Sequence, residues 1–379
     1  MRRAVSAAAL VAALALVAGC SEEPHPAGGD HVEPGSAQQS AAQSSGAAQP
    51  SGGAASTTPA APSAAPGTTF TVAFAGDVHF ESRTESRLNV KAPEQALGPI
   101  SKKLADADLS VLNLETAITE RGAPEAKTYT FRTPARTLKV LQDSGVDVVS
   151  MANNHAVDFG QPGLTDTLAA KASSPIPVVG FGKDATEAFA PYLADVKGVK
   201  VAVLGASQVN EETNKKWRAG VGKAGIASAL DEPALIKAVE QAKAQASVVL
   251  VYLHWGDEGK ACPTAAQTSI AKKLADAGAT AVVGTHAHTM LGAGMLGDTY
   301  VGYGFGNFLW YATSSYANSN ETGVTTLTVT AEGKVTAEEF TPAEINAQGV
   351  PVPETGAKAA ASLKRREGLR GCTGLAPVK

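Results

Sequence analysis

The sequence predicts an α/β fold, a buried and largely parallel β core with helices between its strands. Short, near-continuous apolar runs recur at residues 70–75, 109–112, 146–151, 248–253 and 281–283. Runs of that kind belong to strands covered on both faces, as parallel sheets require. Segments of helical character lie between them, and alternation of the two defines α/β layering. The later segments read as antiparallel hairpins, which implies a mixed sheet or two packed sheets.

Each element has its own signal. Residues 70–75 are the first strand. A helix is expected over 93–107, with proline near its start and Lys102 and Lys103 on an exposed face. After the strand at 109–112, a helix over 135–144 stops at Gly145, a C-cap residue. The strand at 146–151 precedes a helix over 162–172 and a short strand at Val178 and Val179. Residues 192–196 and 199–204 flank a Lys197-Gly198 turn and form a hairpin. Helices over 232–246 and 263–277 alternate with the strands at 248–253 and 281–283. Antiparallel strands over 300–303, 325–330 and 334–340 finish the core. The tail, basic around Lys364 to Arg366, reads as a solvated terminal helix.

The N-terminus reads as an address. Arg2 and Arg3 precede an apolar stretch from Ala4 to Ala18. That stretch is too short for a membrane span, which needs roughly 20 apolar residues. It ends in Val17-Ala18-Gly19-Cys20, the pattern of a bacterial lipoprotein signal. The expectation is cleavage before Cys20, a lipid on its thiol, and a protein exported and anchored to the outer face of the cell membrane. Residues 21–68 are Ala, Ser, Gly, Pro, Thr and Gln with few apolar side chains, the composition of a flexible tether. Loss of Arg2 and Arg3 shifts the net charge from −4 to −6. No basic run exists, which argues against nucleic acid as a partner. Cys262 and Cys372 are even in number in an exported chain and are expected to pair; two buried free thiols are the alternative.

Chemistry concentrates at the ends of the strands. Five of the seven histidines sit in short segments that follow the apolar runs; the other two, His25 and His31, lie in the tether. The segments are Asp77-Val78-His79, Asn113-Leu114-Glu115, Asn153-Asn154-His155, His254-Trp255-Gly256 and His286-Ala287-His288. In α/β sheets, ligands bind beyond the carboxyl ends of the strands. Asp77 and His79 are two apart, as are His286 and His288, so each pair can reach one ion. Glu115 offers a carboxylate able to bridge two ions, Asn154 a carbonyl oxygen, and His254 an imidazole. Mixed nitrogen and oxygen donors without thiolate suit Mn, Fe, Zn or Co, with two such divalent ions expected. Asp158, three residues after His155, can orient that ring or cap the following helix. Asp257 and Glu258 are further ligands or solvated charges, Asn307 lies near the rim or in a turn, and Arg83 and Arg132 are candidates for holding an anionic substrate.

The order of these motifs resembles that of the bacterial capsule-synthesis family, the CapA-type poly-gamma-glutamate capsule proteins. The resemblance runs from about Phe70 to Thr341 and rests on six ordered motifs. They are Phe74-Ala75-Gly76-Asp77, Asn113-Leu114-Glu115, Ala152-Asn153-Asn154-His155 continuing to Gly160, His254-Trp255-Gly256-Asp257-Glu258, Gly284-Thr285-His286-Ala287-His288 and Gly306-Asn307-Phe308. The family is similar to the calcineurin-type metallophosphoesterases. That likeness implies a metallophosphatase-like four-layer α/β/β/α sandwich over residues 69–345, with 346–379 as a C-terminal extension. It also implies that Asp77, His79, Glu115, Asn154, His254, His286 and His288 hold two metals. By the same likeness His155 protonates the leaving group or stabilises the transition state. Two positions depart from the pattern. Glu115 stands where phosphoesterases place a bridging aspartate, and Thr285 stands where capsule relatives often have another histidine.

Three functions compete. One is a surface-tethered metal-dependent hydrolase acting on a phosphoester or an anionic polymer. The second is a non-catalytic factor that binds, assembles or transports capsule polymer, working with capsule-assembly proteins. The third is a solute-binding lipoprotein, which predicts two lobes.

Overall fold

A computed structural model of the chain describes residues 64–311 and 316–379. The signal segment, Cys20, His25, His31 and most of the tether lie outside the described residues. Seven strands position the site: β1 Thr69–Val78, β2 Leu109–Leu114, β3 Val148–Ser150, β4 Val199–Ser207, β5 Val248–His254, β6 Ala281–Thr285 and β7 Asn307–Leu309.

These strands belong to two separate sheets. The first runs Pro351–Pro353, Val335–Ile345, Glu321–Thr330, β1, β2, β3, Val178–Val179, with β7 also paired to β1. The second runs Ala293–Leu296, Thr299–Gly302, β6, β5, β4, Tyr192–Val196. Each sheet is parallel at its centre, β1 to β2 to β3 in one and β4 to β5 to β6 in the other. Val178–Val179 and Thr299–Gly302 extend the parallel centres, and the remaining outer strands are antiparallel, as the hairpin signals predicted.

Alternation of side chains along the strands builds four layers. Phe70, Val72 and Phe74 of β1 pack with Val248, Leu250 and Tyr252 of β5 in a core between the sheets. The residues between them point the other way. Ala73 and Ala75 face a helical layer that includes Leu138 and Leu141 of α1 (Thr137–Asp143) and Leu164 of α2 (Gly160–Ala172). Val249, Val251 and Leu253 face Leu235 and Val239 of α3 (Glu232–Lys243) and Ile270 and Leu274 of α4 (Ala265–Asp276). The order is α/β/β/α, the sandwich that the resemblance implied. Thr264 and Gln267 close a capping box at the start of α4.

Two expectations are corrected. The helix expected over 93–107 is broken into short turns, Pro93–Gln95, Pro99–Ser101 and Lys102–Ala105. Gly98 takes φ +80°, and the ring of Pro99 disfavours helical geometry at the residue before it. The terminal helix α5, Gly356–Leu369, is not wholly solvated. Its Arg366 is buried, donates to a Glu338 carboxylate at 2.5 Å and lies 4.4 Å over the Phe340 ring. Lys364 and Arg365 on the same helix are exposed. Cys262 and Cys372 form a disulfide that ties the segment after α5 to the loop between β5 and α4.

Candidate metal centre

The parallel strands of both sheets end on one rim. Asp77 lies inside β1, opposite Asn113 of β2. Glu115 follows β2 directly, and residues 151–155 follow β3. His254 is the last residue of β5, opposite Thr285 of β6, and His286 and His288 come next. The rim is therefore assembled from both sheets and is buried: Asp77, Glu115, His254, His286 and His288 are each less than a tenth exposed.

Asp77, Glu115 and His288 each place a ligand atom within 4.8 Å of the others, as do Glu115, His254 and His286, and Glu258, His286 and His288. Glu115 belongs to two of these groups. Its Oε1 lies 3.5 Å from His254 Nε2 and 3.8 Å from His155 Nε2. Neither oxygen of Glu115 has a hydrogen-bond partner, and neither does Nδ1 of His286. Buried polar atoms are almost always paired, and a lone buried carboxylate costs several kcal/mol. A cation among these donors removes that cost, so the residues present fit a metal. His286 (φ +91°) and His288 (φ +54°) both take left-handed backbone geometry. Conformations of that kind cost about 1–3 kcal/mol each and cluster where function requires them.

Neighbours hold the donors in place. Asn113 Nδ2 donates to Asp77 Oδ1 at 2.8 Å and meets His254 Nδ1 at 3.2 Å. The His286 backbone N–H donates to Asp77 Oδ2 at 3.2 Å, across 209 residues of sequence. Asn154 Oδ1 lies 2.8 Å from His254 Nε2, while its Nδ2 donates to Glu211 at 3.1 Å. Glu211 thus turns the Asn154 oxygen toward the centre. Asn307 Oδ1 accepts from His288 Nδ1 at 2.8 Å. Thr285 Oγ1 meets His254 Nδ1 at 3.1 Å.

Electrostatics follow from burial among like charges. Burial, with the Glu115 charge beside it, pushes Asp77 up to about 6. Burial pushes Glu115 up to about 7. It lowers His254 to about 4 and holds His155 and His286 well below the usual imidazole range. For His288 burial acts in the same direction, but Glu115, Asp77 and Glu258 together outweigh it and raise the ring.

His155 stands beside this cluster. Its Nδ1 meets Asp158 Oδ2 at 2.6 Å, and its ring stacks on Phe131 with centroids 4.1 Å apart. Asp158 therefore orients the ring; no side-chain cap bond links it to α2, whose N-terminal boundary has none.

His79 belongs to none of the three ligand groups. Its ring stacks on Phe131 at 4.6 Å and lies edge-on to Trp310 and Tyr311, and its nitrogens face the backbone N–H groups of Glu81 and Tyr311. Neither candidate arginine enters the centre. Arg83 donates to the Ala347 carbonyl, and Arg132 lies over the Phe159 ring. Glu258 reaches the centre, and Asp257 joins it and His286 in lining a cavity of about 590 Å³. Sequence reading missed Lys127, Glu211 and the aromatic wall of Phe131, Trp310, Tyr311 and Tyr316. These sit outside the periodic segments and carried no signal, unlike Asn113, which lies in the Asn113-Leu114-Glu115 segment.

A four-layer sandwich with buried carboxylates and imidazoles on its shared strand rim defines a class, the α/β/β/α proteins with donors suited to divalent metal. Within it, residues 71–312 match the family described as bacterial capsule synthesis protein PGA_cap, and the chain belongs to that family. It is 30% identical over 240 residues to the PGA biosynthesis protein CapA of Bacillus subtilis (strain 168), covering 62% of each chain. It is 25% identical over 244 residues to the capsule biosynthesis protein CapA of Bacillus anthracis, covering 63% of this chain and 59% of that one. The chain thus spans about three fifths of the length of these relatives. A 5'-nucleotidase precursor from Thermus thermophilus is similar in structure, with TM-score 0.46 and 14% identity over 79% of this chain and 59% of that one.

Proposed function

We propose that this chain is a metal-dependent hydrolase of the cell envelope that acts on a phosphoester or an anionic polymer during capsule or polyglutamate handling. One observation carries the reading: Glu115 is buried with both oxygens unpartnered, among the donors of Asp77, His254, His286 and His288. Those residues, with Asn154, would hold two divalent ions. Bound there, such ions supply charge neutralisation and water activation at neutral pH.

The chain's own groups supply the rest. Asp158 accepts from His155 Nδ1, which turns Nε2 toward Glu115 and the reacting bond. From there the bare Nε2 takes a proton from the attacking water and hands it to the leaving-group oxygen. Phe131 covers one face of the His155 ring and keeps water from it. A cavity of about 380 Å³, lined by Lys127, Tyr129, Asn154, His155, Glu211 and Lys215, leads from this histidine to solvent.

An exported setting is part of this reading. The lipoprotein-type ending at Cys20 points outside the cytoplasm, and a disulfide between Cys262 and Cys372 suits an oxidising compartment.

The test is metal analysis of purified protein, followed by cleavage assays with a chromogenic phosphodiester and with poly-gamma-glutamate in Mn²⁺ or after chelation. Expected are bound metal, hydrolysis lost on chelation, and a rate at least about 100-fold lower in Glu115→Ala. Protein that binds no transition metal and cleaves neither substrate overturns the reading. If His155→Gln binds metal and still supports normal capsule in cells, the chain is instead a non-catalytic polymer-binding or assembly factor.

A further inference from the structure

Asp158 is the most heavily engaged carboxylate beside the centre. Its Oδ2 accepts from His155 Nδ1 at 2.6 Å and from the Phe131 backbone N–H at 2.7 Å. Its Oδ1 accepts from Lys127 Nζ at 2.8 Å. The same ammonium donates to the Asn154 carbonyl at 2.7 Å and lies 3.4 Å from His155 Nδ1. The Glu125 N–H donates to the Asp158 carbonyl at 2.7 Å. Residues 125–131 are thus strapped across the His155–Asp158 segment, and Lys127 is the clasp. Its side chain is only 15% exposed, and the Asp158 side chain is fully buried.

We propose that Lys127 is a positioning residue that keeps Asp158 a carboxylate and so locks His155 with its proton on Nδ1 and its Nε2 facing the centre. This role rests on the hydrolase reading for its purpose, but its geometry does not. An ionised Asp158 can only accept hydrogen bonds, so the proton between it and His155 belongs to the imidazole. Burial pushes Asp158 up to about 6, and Lys127 is the largest group acting in the opposite direction. Without the ammonium, Asp158 keeps a proton and donates it to Nδ1. The neutral imidazole then carries its own proton on Nε2, the reverse of the arrangement seen. Lys127 reaches His155 only through this shared carboxylate and the Asn154 backbone, and its remaining face lines the cavity mouth.

The tautomer of His155 is directly measurable. Metal-free protein labelled with ¹⁵N-histidine, examined by long-range ¹H–¹⁵N correlation at pH 7.5, separates the two forms; His155→Gln identifies the signals. Wild type and Lys127→Arg are expected to show Nδ1–H. Lys127→Met is expected to show Nε2–H. Lys127→Gln, which removes the charge and keeps a donor, should also lose the Nδ1–H form, and it keeps the test open if Lys127→Met fails to fold. In metal-loaded protein, Lys127→Met should lower kcat about 10- to 100-fold with KM unchanged, and Lys127→Arg should restore it. An unmoved Nδ1–H signal in Lys127→Met overturns the proposal. So does a raised KM with kcat intact, which would make Lys127 a substrate-binding cation. A switched tautomer in a chain that hydrolyses nothing sinks the hydrolase reading and leaves this one standing; hydrolysis with an unmoved tautomer does the reverse.

Discussion

At the scale of single residues, Glu115 concentrates the conflict in this site. Its carboxyl is pushed from the ordinary 4.5 to about 7 by burial. The folded protein therefore holds a proton that the unfolded chain has already lost between those values. Stability from this group is full below about pH 4.5 and is lost as pH rises through 7. At about 1.4 kcal/mol for each tenfold in ionisation, the penalty at pH 8 is on the order of 3 kcal/mol. Glu115→Gln removes the charge but buries an amide, which costs about 1 kcal/mol. Metal-free Glu115→Gln should therefore be more stable than the parent at pH 8 by about 2 kcal/mol, with no gain at pH 4.5. Thermal unfolding in chelator at the two pH values measures this. Added Mn²⁺ should stabilise the parent and not the variant, and equal stabilisation of both would contradict Glu115 as a ligand.

At the scale of elements, the site depends on how closely β1 approaches its neighbours. The Asp77 N–H donates to the Gly306 carbonyl at 3.0 Å, just before β7 begins. A Cβ on Gly76 would lie 2.1 Å from that same oxygen and 2.7 Å from the Phe305 carbonyl. Backbone, not a flexible side chain, blocks the space. Gly76→Ala should push β1 and β7 apart, cost about 2–3 kcal/mol of stability, and weaken metal binding through displaced Asp77. Chemical denaturation and metal titration test this together; a variant with parental stability and affinity would show that β1 can shift without disturbing the rim. The strands and most helices were legible because apolar periodicity is a local property. The helix expected at 93–107 was not, because one glycine at positive φ and one proline outweigh the propensity around them.

At the scale of the whole molecule, two sheets that share a core bring their strand ends to one rim. Alternating residues of β1 and β5 face each other across that core, so Asp77 and His254 arrive at the same place from different sheets. The chain's export is a proposal of the same scale. Cys20→Ser should release the protein from membranes into the medium or the soluble fraction, read by fractionation and immunoblot. Protein that stays with the membrane after that change would remove Cys20 as the anchor.

Much of the candidate site was legible in the amino-acid pattern, since Asp77, Glu115, Asn154, His155, His254, His286 and His288 each end an apolar run. Sequence alone determined which side chains can donate to a metal and that they lie at strand ends, because hydrophobic periodicity and residue chemistry are written locally. Tertiary structure alone decided which of them meet. It joined Asp77 to His286 across 209 residues, set His79 into an aromatic stack, and brought Lys127 from an unpatterned loop onto Asp158. Those outcomes depend on distances between segments far apart in the chain, which only the packing of the two sheets sets.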